Sequence, residues 1–254
     1  MLILLPPSET KRDGGTEGSK LDYRQLRYGQ LNGLRRATVR ALRELARDRE
    51  ATIAALSLGP TQHEEVAHNR AVSRSRTMPA ADRYTGVLFD ALDAQTLSRD
   101  SRAYLGRNVV VHSALLGPIG ALDPIPEYRM SHGSRLPGIR MKSHWAAPVE
   151  CVLAAESGLI VDARSEAYAQ LGHAPRRAAS VFLRVVATDV AGKRRALNHF
   201  NKHAKGALVR ALAQSGVEFE SVDALISGAG QHGFRLERGA GRGPGDLDEL
   251  ELII

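Results

Sequence analysis

Four short apolar runs constrain this chain most: "LILL" (2–5), "VVV" in "NVVVHS" (108–113), "LIV" in "GLIVDARS" (158–165) and the core of "SVFLRVVATD" (180–189). Each is too short for a buried helix and is bounded by Pro, Gly or charge, so each reads as a buried strand. Pro6-Pro7 stops the first run, because proline lacks the amide a ladder needs.

The segments between the runs have helical spacing. Residues 22–49 read as one long helix, with Leu31, Leu34, Leu42 and Leu45 on the apolar side. Arg35, Arg36, Arg40, Arg43 and Arg47 fall between them and read as a solvated face. Residues 61–72 follow, with Thr61 as N-cap and Glu64 as capping-box partner. Residues 79–92 read as a helix interrupted near Thr85-Gly86, and 98–106 as a short helix between Ser98 and Gly106. Residues 144–157 are expected to be helical, with Pro148 in the first turn. Residues 201–216 form another, ended by Gly216. The tail 233–254 reads as two short strands around a flexible loop, "GAGRGPG" (239–245). Strands and helices alternate without a repeat, so the expected class is α/β, or mixed α+β, with 1–254 as one domain around a central mixed sheet.

The chain has 254 residues, 35 Lys and Arg against 28 Asp and Glu, and a net charge of +7. Such an excess favours polyanions, nucleic acid first. The single cysteine, Cys151, excludes an intramolecular disulfide and lies in the apolar "PVECVLAA", where a buried thiol is expected. The opening "MLILLPP" lacks a signal peptide's basic region, and no apolar run nears the ~18–20 residues of a membrane span. A cytoplasmic protein is expected, with no membrane partner and no legible oligomeric state.

No H-E-x-x-H, G-x-S-x-G, Rossmann or Walker frame is present. "HEEVAH" spaces His63 and His68 by five, which splays them around a helix, so no metal and no cofactor are expected there or elsewhere. In "VDARSEAY", Asp162, Arg164, Ser165 and Tyr168 follow a buried strand, at the edge where open α/β sheets bind ligands. Alternatively Ser165 caps the next helix and Tyr168 packs beneath it. "LLGPIGAL" (115–122) reads either as a turn or as a phosphate-binding hairpin like that of a helix-hairpin-helix element. Tyr128-Arg129 then suits base stacking and phosphate pairing. "GKRR" and "LNHFNKHAKG" gather Lys193, Arg194, Arg195, Lys202 and Lys205, the last two at i, i+3 on a helix, which suits an anion grip.

Six stretches resemble, in order, the YaaA family of bacterial peroxide-stress proteins: "MLILLPPSETK", "RYTGVLFDAL", "HSALLGPIGALDPIPEYRM", "KSHW", "VDARSEAY" and "NHFNKHAKGALVRAL". The resemblance runs from Met1 to about Arg238. It implies a cytoplasmic protein induced by peroxide that helps limit free iron, and so iron-dependent oxidative damage to DNA. It also implies an unusual α/β domain with a basic cleft and a helix-hairpin-helix-like element linked to DNA binding. Some relatives resemble enzymes acting on nucleoside-like molecules.

Two functions follow as expectations. In the first, Lys193, Arg194, Arg195, Lys202, Lys205 and Arg210 grip the phosphates of duplex or damaged DNA without reading sequence. In the second, the same basic cleft is the active site of an enzyme acting on a nucleotide-like small molecule. Glu9, Lys11, Asp162 and Lys202 would be its catalytic groups. Its ligand- and phosphate-binding residues would be Ser8, Tyr84, Gly86, Gly117, Tyr128, Arg129, Lys142, Arg164, Ser165, Tyr168, Lys205 and Arg210. Carboxylates lining the cleft would favour the enzyme, because they repel a phosphate backbone.

Overall fold

The computed structural model describes the backbone of residues 1–188, 194–196 and 200–254. Side chains are described for the same residues except 188, 194–196 and 200. In chain order the elements are β1 (Leu2–Leu5), α1 (Asn32–Leu45), α2 (Arg49–Leu56), α3 (Glu65–Ala71), β2 (Met78–Pro79), α4 (Ala80–Arg83), α5 (Val87–Leu92), α6 (Arg99–Asn108), β3 (Val109–Ser113) and β4 (Gly117–Gly120). They continue with β5 (Pro124–Ile125), α7 (Met141–Ala154), β6 (Ile160–Asp162), α8 (Glu166–Ala169), β7 (Ser180–Thr188), β8 (Arg194–Ala196), α9 (Phe200–Ser215), α10 (Val222–Gln231), β9 (Arg235–Gly243) and β10 (Leu247–Ile253).

The four apolar runs become β1, β3, β6 and β7, parallel neighbours in the middle of a mixed sheet of order β4-β3-β1-β6-β7-β10-β9. β10 joins them in parallel; β4, β8 and β9 pair antiparallel. β8 lies on the flank of β7 opposite β10, beyond the end of the short β6. Every residue of β1 is buried, because parallel strands cover both its edges and helices its faces. Burying each such Leu or Ile is worth roughly 1.5–3 kcal/mol. The mixed α/β class expected from the sequence is the one the structure has.

Strand order places the site. From β1 the chain crosses to β3 on one side, and later returns to β6 on the other. The loops leaving β1 and β6 therefore part at their carboxyl ends, where such sheets hold ligands. Register carries this further. Leu5 pairs Val111 and Leu4 pairs Asp162, so His112 and Arg164 arrive level with Pro6 on either side of it.

Several local expectations change. The 22–49 segment is two 3-10 turns, α1 and the start of α2, not one helix. Arg35 is not solvated: it is fully buried and donates to the carbonyls of Leu116, Pro118, Arg27 and Tyr28. It ties α1 to β4, whereas Arg36, Arg40, Arg43 and Arg47 are exposed as expected. Residues 60–62 form a 3-10 turn capped by Gln62 on the Gly59 amide, so Thr61 is not an N-cap. Ser98 caps α6, but Gly106 lies inside that helix, against Leu122. Pro148 sits in the interior of α7, and Cys151 is exposed. The buried stripe of α7 is Met141, Trp145, Val149 and Val152, and Cys151 falls off it. "GAGRG" belongs to β9 rather than a loop; the turn is 244–246. Residues 117–120 form β4, wholly buried at the sheet's edge, paired with β3 on one side, with the Pro118 carbonyl accepting from Arg35. Gly117 has φ +65°, and a Cβ there would lie 2.8 Å from the Trp145 ring.

Candidate functional site

A cleft of about 510 Å³ opens at the parting of the β1 and β6 loops. The β1 loop supplies Pro6, Pro7, Ser8, Glu9 and Thr10, and the turn into α5 supplies Thr85 to Phe89. Ser165 and Tyr168 come from α8, Asn201, Lys202 and Lys205 from α9, and His132 from the 129–140 loop. Each wall has a local cause. Pro6-Pro7 turns the chain out of the sheet. Ser165 accepts from the Tyr168 amide and so starts α8. Gly86, at φ +92°, lets α5 begin beside Ser8 and Thr10, whose hydroxyls would lie 3.4 Å from a Cβ there. Gly206 lets α9 lie directly on α5, because a Cβ on it would be 2.1 Å from the Leu88 carbonyl oxygen.

Lys205 dominates the electrostatics. It is only 7% exposed, lies 5.9 Å from the Phe182 ring, and makes no hydrogen bond or ion pair with any described residue. Burial pushes its ammonium down to about 8, although Asp162 pulls the other way. Lys202, one turn earlier, is exposed at the rim. Glu9 is the carboxylate in the wall, and the Arg129 guanidinium holds it in an ion pair. Arg129 is itself fixed, because its backbone exchanges two bonds with the Asn69 side-chain amide.

Behind the Ser8–Thr10 wall sits a second layer. The Lys11 ammonium lies 4.0 Å from the Tyr128 ring centroid and donates to the carbonyls of Ser8 and Glu9. Burial, then the Arg129 charge, pushes it down to about 7. The hydroxyls of Tyr84 and Tyr128 are 2.7 Å apart, and that of Tyr128 is 2.6 Å from Ser113 Oγ. Burial raises both phenols, Tyr128 to about 12. An amine lowered to about 7 holds and releases a proton near neutral pH, as a general acid or base must.

Under the sheet's edge, Arg164 donates to both oxygens of Asp162, at 2.8 and 2.6 Å, and to His112 Nδ1 at 2.7 Å. Arginine only donates, so Nδ1 accepts and the His112 proton sits on Nε2. Burial, then the Arg164 charge, holds His112 neutral. Its buried Nε2 has no hydrogen-bond partner among the described residues. The Tyr168 ring, which lines the cleft, is 6.2 Å away.

Of the residues singled out in the sequence, Ser8, Glu9, Gly86, Ser165, Tyr168, Lys202 and Lys205 line the cleft together. Lys11, Tyr84, Tyr128 and Arg129 form the layer behind it, and Asp162 and Arg164 are sealed beneath. Three lie elsewhere. Lys142 bonds Gln170, Gly117 packs on Trp145, and Arg210 donates to the carbonyls of Leu92 and Asp93 at the end of α5. Lys193 lies outside the described residues, as do the side chains of Arg194 and Arg195. His112 and His132 were not singled out. A histidine closing a buried strand was the available signal for His112; the loop around His132 carried none.

A cleft lined by a buried lysine thus lies where the strand order of a mixed α/β sheet reverses. The model of the family described as "Peroxide stress protein YaaA" matches residues 1–239, and the chain belongs to that family. Similar chains, each called a UPF0246 protein, occur in Corynebacterium glutamicum (38% identical over all of both chains) and Corynebacterium efficiens (39%, likewise). Another, in Streptomyces coelicolor, is 38% identical over 98% of both. No described helix is long and apolar enough to cross a membrane.

Proposed function

We propose that the cleft binds a small anionic, nucleotide-like molecule and acts on it chemically, as this chain's part in the peroxide response its family is named for. One observation carries the reading: Lys205 is a buried cation that lines the cavity without a partner among the described residues. Burying a charge is costly unless something pairs with it, so an arriving anion would relieve that cost. The volume suits a small molecule, Tyr168 and Phe89 offer ring faces, and Lys202 adds a second cation at the mouth. The Glu9 carboxylate in the wall is offset by its Arg129 partner, so it does not oppose a small anion at Lys205. Lys11, just behind the Ser8–Glu9 wall, is the proton acceptor of this reading. Glu9, locked by Arg129, positions rather than reacts, and Asp162 acts through Arg164.

The test is calorimetric titration with AMP, adenosine and inorganic phosphate on the native protein and on Lys205→Met. AMP or phosphate should bind and weaken by roughly 10–100-fold in the variant, as for a lost charged hydrogen bond. Equal affinity in both proteins would defeat the reading.

The net charge and the exposed arginines of α1 favour a second role, binding of intact or damaged DNA that would help limit iron-dependent oxidative damage. Arg36, Arg40 and Arg43 share one face of α1, and Arg47 lies just past its end. Duplex affinity should then fall with salt by about 0.7–0.9 in log slope per phosphate contacted. It should weaken when Arg40 and Arg43 become alanine; absence of binding at low salt would exclude this role.

A further inference from the structure

A separate cavity of about 520 Å³ shares no lining residue with the cleft. Glu65 and His68 stand at i, i+3 on α3 and project from one face of it. Glu127 reaches the same place from the chain that follows β5, and with His68 it lines the cavity. One donor atom from each of the three lies within 4.8 Å of the others. All three residues are half-buried, and His68 Nδ1 is 2.9 Å from a Glu127 oxygen.

That contact accounts for His68 and Glu127 but leaves Glu65 unexplained. Its carboxylate makes no hydrogen bond or ion pair with any described residue, although a second carboxylate stands beside it. Two neighbouring carboxylates repel unless a cation or a proton lies between them. Asp13 lines the same cavity and adds a further carboxylate to it. Lys11 and Arg83 stand near enough to act on these charges, but neither forms an ion pair with them, and Lys11 donates to the carbonyls of Ser8 and Glu9. Arg83 is committed to backbone carbonyls, and Arg76 lies 3.8 Å from Glu17.

We propose that Glu65, His68 and Glu127 bind a divalent transition-metal cation. One imidazole and two carboxylates suit a borderline ion such as Zn²⁺, Co²⁺ or Mn²⁺ better than Ca²⁺, which takes oxygen ligands alone. Three protein ligands leave coordination positions for water, and the cavity gives that water room. The ion replaces the 2.9 Å imidazole–carboxylate contact, with Nδ1 and both carboxylates turned toward it. The helical spacing i, i+3 aims two ligands together, and Glu127 closes the set.

The test is titration of metal-free full-length protein with Co²⁺, read by visible absorption and calorimetry, followed by displacement with Zn²⁺. The native protein should take up one Co²⁺ per chain, with bands of nitrogen–oxygen coordination, and release it to Zn²⁺. Losing even an outer partner costs roughly 10–100-fold in metal affinity, so Glu65→Gln and Glu127→Gln should each lose at least that. Glu65→Gln keeps size and shape at a half-buried position, and its thermal melt without metal should match the native one. No uptake at millimolar Co²⁺ or Zn²⁺ would overturn the proposal. So would uptake that Glu65→Gln and His68→Ala leave unchanged, which would place the ion elsewhere.

Discussion

Replacing Gly206 by alanine tests how the cleft is built. The added methyl would lie 2.1 Å from the Leu88 carbonyl oxygen and 3.0 Å from Ala91 Cβ. Ordinary carbon–oxygen contact is about 3.3 Å, so α9 must retreat from α5 by roughly 1 Å. The obstacle is backbone, which cannot turn aside as a side-chain tip can. Overpacking of this kind costs typically 1–3 kcal/mol, while glycine-to-alanine in a helix returns about 1 kcal/mol. The net expectation is a loss of up to about 2 kcal/mol. A larger effect falls on the site, because Lys205 and Leu88 stand on the two walls that separate. Gly33→Ala in α1 is the control, since nothing lies within 4 Å of a Cβ there; it should stabilise by up to about 1 kcal/mol. Urea unfolding of both variants, with AMP and phosphate titrations, reads the difference. If Gly206→Ala stabilised as Gly33→Ala does and left affinity unchanged, the close approach of α5 and α9 would be refuted.

Further outcomes are expected. Lys11 and Lys205 are lowered from 10.5 to about 7 and about 8, so between pH 7 and 10 the unfolded chain binds more protons than the folded one. Their contribution to stability therefore rises with pH across that window, and urea midpoints for Lys11→Met should rise less than native ones. Asp162→Asn leaves the buried Arg164 uncompensated and should cost about 3–5 kcal/mol in chemical denaturation; a change under about 1 kcal/mol would mean the pair is not sealed from water. Tyr128→Phe removes the hydroxyl shared by Tyr84 and Ser113 and should cost about 1–3 kcal/mol.

Local pattern along the chain was enough to place the strands at the centre of the sheet and many of the punctuation marks between elements. "LILL", "VVV" and "LIV" read as buried strands because each is too short for a buried helix and is bounded by Pro, Gly or polar residues. The break at Thr85-Gly86, the cap at Ser98 and the stop at Gly216 were legible because backbone sterics act over a few residues. Part of the cleft's lining was legible by residue type, since Glu9, Ser165, Tyr168, Lys202 and Lys205 do meet there.

Which polar groups are sealed, and against what, was settled by packing in three dimensions. Arg35, Arg210 and Lys205 look alike in sequence as cations on amphipathic helices. Arg35 ends among buried carbonyls, Arg210 at the end of α5, and Lys205 facing an open cavity. His112 was one histidine among nine until register set it level with Arg164. His68 was weighed against His63, five residues away, whereas its companions are Glu65 on the same face and Glu127 some sixty residues later. Periodicity and turn chemistry report forces that act along the chain. Desolvation and charge pairing act across space, and strand order brings those partners together.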